Sequence, residues 1–204
     1  MDLVREGVLR LAAGVVAGTF IFAAIAPREM KHRILSRAVG FEGACVVPFK
    51  GGEIVVYRDT KRERERERRL ATGAEPIRIY SWPGGKVEIV DVPRGLWLKL
   101  RGFDHAVARV TAAREFEEET KTAVDPTKLH SAFESGHGHT STGEPVVVFR
   151  ADLPAGHPMS AHDAELVTIG PLPHISKTIV ADMRRFNSVL FPAIHANWPG
   201  VKFE

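Results

Sequence analysis

The sequence predicts an α+β protein in which a mixed β-sheet lies between helices, with a hydrophobic helix before it. Three observations favour this class. Short segments rich in Val and Ile outnumber helical patterns, they are separated irregularly, and one long segment has the spacing of an amphipathic helix. With 204 residues, 44% hydrophobic and 26% charged, the chain fits one globular domain and excludes a disordered or collagen-like protein. Its net charge of +3 would help to hold an anionic ligand.

Residues 11–27 form a run without charged side chains. As a helix this run would be about 25 Å long, against about 30 Å for the core of a bilayer, so a membrane anchor is one interpretation. A cleaved secretory signal and a soluble helix are the others. More Lys and Arg residues follow the run than precede it, which would leave the body of the protein facing the cytoplasm. Gly14 and Gly18, spaced as G-x-x-x-G, would let two such helices pair in a homodimer.

The chain divides into a hydrophobic N-terminal segment over residues 1–37, a folded domain over 38–195 and a tail over 196–204. The folded domain is expected to begin with a β-hairpin that turns at Gly51 and Gly52, because a glycine pair supplies the positive backbone angles of a tight turn. Residues 61–69 alternate basic and acidic side chains and leave no apolar face. They are expected to form a solvated loop or a short exposed helix.

Further strands are predicted over residues 77–82, 144–153 and 164–172, and a final helix over 176–190. Residues 92–102 have no clean periodicity and are interpreted as a loop with room for one short strand. The most regular helix is expected from about residue 105 to 122, with Asp104 as its N-cap. Cys45, the only cysteine, excludes an intramolecular disulfide and is expected to be a buried, inert thiol.

The chemistry is concentrated near the end of this helix. Glu115, Glu118 and Glu119 stand at positions i, i+3 and i+4, so their carboxylates share one patch of helix surface. Carboxylates so close together repel one another, and a divalent cation removes that penalty. A set of oxygen ligands favours Mg²⁺ or Mn²⁺ over Zn²⁺, and Mg²⁺ shares its other positions with substrate phosphates. The pattern indicates metal-assisted attack of water on a phosphoryl group, while an ordinary acidic helix face is the alternative.

The segment REFEEET, residues 114–120, resembles the helical half of the Nudix box, whose pattern is G-x5-E-x7-R-E-U-x-E-E-x-G-U with U apolar. WPGGKVE, residues 82–88, is similar to the strand and glycine element that leads into the box. The resemblance covers roughly residues 39–190. It implies a sheet and helix sandwich that hydrolyses a nucleoside diphosphate linked to another group, with Mg²⁺ or Mn²⁺ as cofactor.

The resemblance also implies roles for individual residues. Metal ligands would be Glu115, Glu118 and Glu119, with Glu118 and Glu119 also counted as catalytic. Arg114 would hold the loop by an ion pair. Gly84, Gly85 and Lys86 would bind substrate phosphates. The later glutamate that the family often recruits as base or ligand would be Glu165 or Glu144.

The sequence departs from the box at three points. Counted back from Arg114, the first glutamate of the box falls on Ala106, and Glu88 or Asp104 could replace it. The late glycine of the box falls on Lys121. The stretch between Gly85 and Arg114 is longer than the pattern, which requires an insertion around residues 89–103. An impaired Nudix-fold module that binds a phosphorylated ligand at a membrane is therefore the alternative to an active hydrolase.

The sequence does not determine which substrate the protein would cleave. REFEEET is similar to the version found in viral Nudix proteins that remove mRNA caps, and the mildly basic chain would suit RNA or a diphosphoinositol polyphosphate. A nucleotide sugar or a dinucleoside polyphosphate fits equally well, because the box does not contact the rest of the substrate.

Overall fold

The computed structural model describes residues 27–68, 80–134, 143–160 and 165–171. Within these residues there are four α-helices and seven strands. The helices are α1 (Arg28–Val39), α2 (Thr60–Glu67), α3 (Asp91–Leu100) and α4 (Ala106–Thr120). The strands are β1 (Gly43–Lys50), β2 (Glu53–Arg58), β3 (Tyr80–Ser81), β4 (Gly84–Lys86), β5 (His130–Glu134), β6 (Val146–Leu153) and β7 (Glu165–Pro171). The α+β class is confirmed. Most of the uncharged run 11–27 and the expected final helix 176–190 lie outside the described residues.

The seven strands form one mixed sheet in which β1 is the central strand. Strands β1 and β6 run parallel, while β1 pairs antiparallel with β2 near the hairpin turn and with β4 near its own beginning. Strand β2 also pairs with β3 and β7, and β6 pairs with β5. The predicted hairpin is confirmed, with Gly51 and Gly52 both at positive φ. Because β2 and β4 share one edge of β1, the segment around Gly84 is held beside the centre of the sheet.

The core lies between this sheet and α4. Phe116 of α4 and Phe149 of β6 are completely buried, and Ala108 and Ala112 bring the helix close to β1 and β6. Small side chains on the helix leave room for the large ones on the sheet, which is the packing that native density requires. The end of α4 is therefore fixed relative to β1 and β4.

Residues 92–102 do not form the expected loop: Asp91–Leu100 is helix α3. Pro93 lies in the first turn, where a helix does not need the missing amide hydrogen. Gly95 is buried against α4, and a Cβ there would lie 2.6 Å from the Cα atom of Val107. Pro93 is thus tolerated because of its position in the first turn, and Gly95 is required because α3 packs closely against α4.

The predicted N-cap of the long helix is also wrong. Helix α4 begins at Ala106, and its N-cap residue His105 has a left-handed backbone (φ 49°) and no capping hydrogen bond from its side chain. Asp104 contributes its carbonyl oxygen, which accepts a hydrogen bond of 2.8 Å from Arg109 Nε. The chain therefore enters the helix through a tight turn rather than through a capping carboxylate.

The charged run forms helix α2, the second of the two expectations for it. One of its side chains is not solvated: Glu63 is 4% exposed and pairs with Arg58 of β2 at 2.8 Å. Helix α1 extends to Val39 and so crosses the expected boundary at residue 37. Among the described residues, no helix has the length and apolar character needed to cross a membrane.

Candidate active site

The acidic end of α4 lies directly beside the glycine pair of β4. The Glu119 carboxylate accepts a hydrogen bond of 3.0 Å from the Gly84 amide, and a second of 3.0 Å from the Tyr57 hydroxyl on β2. Two donors fix the position of this carboxylate. Tyr57 was not among the site residues predicted from the sequence. It stands near the end of β2, and no local pattern there ties it to Glu119.

Gly85 lies over Glu115. A Cβ atom at Gly85 would overlap the Glu115 carboxylate, and one at Gly84 would overlap Cys45 on β1. Neither position has room for a side chain, so the backbone of β4 approaches both the acidic helix and the central strand. The structure thus brings together four of the predicted site residues: Gly84, Gly85, Glu115 and Glu119.

Arg114 connects the carboxylates to the loop that follows β4. Its Nη1 atom lies 2.8 Å from Glu115 and 3.3 Å from Glu118, while Nη2 donates a hydrogen bond of 3.0 Å to the Lys86 carbonyl. Arg114 thus joins the end of α4 to the backbone that follows the glycine pair. Glu118 is more than half exposed, at 58% of its side chain, whereas Glu115 is 15% exposed.

The main partner of Arg114 is Asp91, which the sequence analysis missed. Asp91 is 1% exposed and accepts hydrogen bonds from Arg114 Nε (2.9 Å), Arg114 Nη2 (3.1 Å), the Thr111 hydroxyl (2.9 Å) and the Glu88 amide (3.0 Å). Counted forward from Gly85, Asp91 stands where the box has its first glutamate. The replacement for the lost carboxylate is Asp91, and neither Glu88 nor Asp104 makes this ion pair.

Charge and burial shift the pKa values of the site. Burial raises the pKa of the Glu115 carboxyl, against the lowering effect of Arg114, and the charges of Glu118 and Glu88 raise it further. Partial burial alone would lower the pKa of Arg114, but its hydrogen bonds to Asp91 and the Glu115 charge raise it above its usual value. Burial and the charge of Glu119 raise the pKa of Tyr57. The guanidinium is thus held fully charged against a crowded set of carboxylates.

The donor set fits a Mg²⁺ or Mn²⁺ ion. Glu115 and Glu118 meet at one nitrogen of Arg114, Glu119 lies against Gly84, and the bare backbone at Gly85 leaves a cradle that a Cβ would fill. In the part of the chain that the structure describes, no three acidic, histidine or cysteine side chains already enclose a metal position. Glu115 and Glu118 thus share one partner, Arg114, while Glu119 is held at the Gly84 amide.

A groove of about 570 Å³ runs beside this site, between α1 and the segment that follows β4. Lys86, the last predicted phosphate ligand, lines the groove together with Arg28 and Lys31 of α1. Its apolar lining residues include Leu35 and Val87, and Glu29 and Glu88 also line it. The groove thus has apolar lining and charges of both signs, and it begins where the glycine pair ends.

The remaining predicted residues lie around the site. Glu165 begins β7 and pairs in register with Arg58, next to Tyr57. Glu144 lies just before β6, at the end of the sheet where Gly43 pairs with Lys86 on one side and Val146 on the other. Their roles as base or ligand stay predictions. Lys121, in place of the late glycine of the box, adopts a left-handed backbone with φ 56°.

Comparison with solved structures finds similar proteins at low identity and low TM-score. An Ap4A hydrolase from C. elegans, solved as a binary complex, is 15% identical, with 78% of this chain and 98% of that chain covered and a TM-score of 0.41. A Nudix hydrolase from Alicyclobacillus acidocaldarius is 12% identical, covers 80% and 98%, and has a TM-score of 0.43. A bifunctional NMN adenylyltransferase/ADP ribose pyrophosphatase from Francisella tularensis, complexed with AMP and a manganese ion, is 12% identical, covers 71% and 39%, and has a TM-score of 0.37.

No family model and no curated protein matches the chain. The residues of the site, rather than these likenesses, carry the functional argument.

Proposed function

We propose that the protein is a metal-dependent hydrolase of the Nudix type, which cleaves a pyrophosphate bond in a nucleoside diphosphate-linked substrate. The observation that carries this proposal is the contact of the Gly84-Gly85 backbone with two glutamates of one helix, Glu119 and Glu115. A backbone free of side chains beside grouped carboxylates is suited to a cation and a phosphate together.

The residues of the candidate site have different roles in this proposal. Glu115, Glu118 and Glu119 would hold Mg²⁺ or Mn²⁺, which when bound neutralises phosphate charge and polarises the scissile phosphoryl group. Arg114, fixed by Asp91, orients Glu115 and Glu118 and holds the loop at Lys86. Glu118 is the most exposed of the three and is available to accept the proton of the attacking water. The water oxygen bonds to phosphorus as the bridging oxygen leaves with the second phosphate.

The group linked to the diphosphate would lie along the groove beside Lys86. Lys31 and Arg28 add positive charge there, although Glu29 and Glu88 also line the groove, so the net attraction for an anion is modest. The apolar lining residues of the groove would accommodate a ring or a sugar face. A nucleotide sugar, a dinucleoside polyphosphate, a capped RNA and a diphosphoinositol polyphosphate are the four substrate classes to compare.

The test is product release from a panel of these four substrates with Mg²⁺ or Mn²⁺. Glu118→Gln keeps the size of the side chain and removes its charge, and should lower kcat on the order of 10²-fold or more. Glu117→Gln is the matched control, since Glu117 is exposed on the same helix and lies outside the carboxylate patch. Equal rates for the two variants would overturn the proposal. Binding of a panel member without turnover by the parent would instead identify a binding module.

We also propose that the body of the protein faces the cytoplasm from a membrane anchored through residues 11–27. The support is the length of this uncharged run and the four basic residues of α1, Arg28, Lys31, Arg33 and Arg37. Val16→Arg should release the full chain from the membrane fraction of cells that express it. Retention of that variant in the membrane fraction would contradict the anchor.

A further inference from the structure

Helix α3 is apolar on two opposite faces. One face, formed by Gly95 and Leu98 together with Asp91, is buried against α4. The other face is formed by four apolar residues at positions i, i+3, i+4 and i+7, which we call the α3 stripe: Pro93, Leu96, Trp97 and Leu100. An amphipathic helix that only covers a core needs one apolar face, so the second face calls for another explanation.

The α3 stripe is among the most exposed apolar surfaces of the described chain. Leu96 is 53% exposed, Trp97 55% and Leu100 87%. Ile89 and Val90, just before the helix, add two more exposed apolar side chains. Single exposed apolar residues are ordinary, but a contiguous group of them marks an interaction site.

The charged residues of α3 that flank the α3 stripe are all basic. At the helical angle of about 100° per residue, Arg94 and Arg101 flank one side of the stripe and Lys99 the other. Residues 92–103 contain no Asp or Glu. The Arg101 guanidinium lies 4.6 Å from the centre of the Trp97 ring, so a cation and an amphipathic aromatic residue stand side by side.

We propose that the α3 stripe lies on an anionic lipid bilayer surface, with its apolar side chains among the lipid headgroups and its cations against lipid phosphates. Leu and Trp on one face with Lys and Arg beside them is the composition of helices that bind in the plane of a membrane. This contact is independent of hydrolysis at the candidate active site.

A second observation places this surface near the start of the described chain. Arg28, the first residue of α1, lies 3.9 Å from Glu88, three residues before α3. The uncharged run 11–27 ends just before Arg28, so the segment proposed as a membrane anchor joins the body close to the segment that leads into α3. The proposed anchor therefore joins the body of the protein close to helix α3, which carries the α3 stripe and its cations.

The experiment places an environment-sensitive fluorophore on the full chain at Leu100→Cys. Cys45, the only native cysteine, is buried and does not compete for the label. The matched control is Ala123→Cys, an exposed position beyond the opposite end of α4. Both proteins are mixed with vesicles of phosphatidylcholine alone and of phosphatidylcholine with phosphatidylglycerol, so that any binding through residues 11–27 is common to the two.

The proposal predicts a blue shift of the Leu100 probe with anionic vesicles, a smaller shift with neutral vesicles, and none for the Ala123 probe. Arg94→Ser, Lys99→Ser and Arg101→Ser should each lower the equilibrium constant for binding of the α3 stripe to anionic vesicles about fivefold. Equal responses of the two probes, or equal shifts with both kinds of vesicle, would overturn the proposal. A blue-shifted Leu100 probe without vesicles would also overturn it. If that shift depended on protein concentration, a second copy of the chain would cover the α3 stripe. If it did not, another part of the same chain would cover it.

Discussion

The Asp91 carboxylate binds the Arg114 guanidinium through two hydrogen bonds, of 2.9 and 3.1 Å, across an inserted helix. Residues 92–113 separate the two in the sequence, and α3 lies within this interval. Asp91 is itself the first residue of α3, and Gly95 of the same helix packs against Val107 of α4. The helix that supplies Asp91 is therefore fixed against the helix that carries Arg114.

Replacing Asp91 should damage both stability and catalysis. Asp91→Ala leaves Arg114 and Thr111 without their buried partner and should lower the free energy of unfolding by about 3–5 kcal/mol. Asp91→Asn keeps the size and should fold better, while lowering kcat more than it changes KM because Arg114 no longer holds Glu118 in place. The measurements are urea unfolding and steady-state kinetics.

The control for Asp91 is Asp104→Asn, at which only the backbone carbonyl makes the hydrogen bond to Arg109. If the Asp91 and Asp104 variants lost the same stability and activity, Asp91 would not be the residue that positions Arg114.

Gly85→Ala tests the close approach of β4 to α4. The added Cβ overlaps the Glu115 carboxylate, so the strand or the glutamate must move and activity should fall by on the order of 10²-fold. Gly156→Ala is the matched control, because Gly156 lies in an exposed turn with open space around its Cβ position. Unchanged kcat/KM in a folded Gly85→Ala protein would show that this approach does not matter.

Lys121→Gly should stabilise the protein. Lys121 ends α4 with a left-handed backbone, φ 56°, a conformation that glycine adopts without the penalty paid by other residues. We expect a gain of about 0.5–1 kcal/mol in the free energy of unfolding, reduced by loss of the Lys121 Nζ bond to the Glu118 carbonyl. Thermal unfolding measures the change. A loss of stability would mean that this hydrogen bond outweighs the backbone penalty.

Cys45 should resist alkylation in the folded protein. Burial, with a smaller contribution from the charge of Glu119, raises its pKa to about 12. The reactive thiolate is then on the order of 10⁻⁴ of the thiol at pH 8, and the side chain is also inaccessible. Mass spectrometry after iodoacetamide treatment should find no adduct until denaturant is added. Rapid labelling under native conditions would contradict this environment.

Several features were predictable because local chemistry and packing agree. Gly51 and Gly52 predicted the hairpin since only a tight turn uses two such residues between Val-rich strands. The three glutamates predicted the acidic patch, because helical spacing alone determines which side chains share a face. In both cases the information lies within a few consecutive residues.

The features that were missed depend on contacts between distant segments. Helix α3 was missed because Gly95 reads as a helix breaker until Val107 is packed against it. Asp91 was missed because the box was counted back from Arg114, whereas counting forward from Gly85 finds it. Tyr57 has no sequence signal that ties it to Glu119, since their contact depends on how β2 packs near the end of α4.

Binding of Mn²⁺ to the full chain, followed through the electron paramagnetic resonance signal of the free ion, tests the central claim most directly. The claim is that the carboxylates around Gly84 and Gly85 form one divalent cation site. The parent and Glu117→Gln should bind Mn²⁺ equally, while Glu118→Gln and Glu119→Gln should each weaken binding about tenfold or more. Equal affinity in all four proteins, or no binding by the parent, would contradict it.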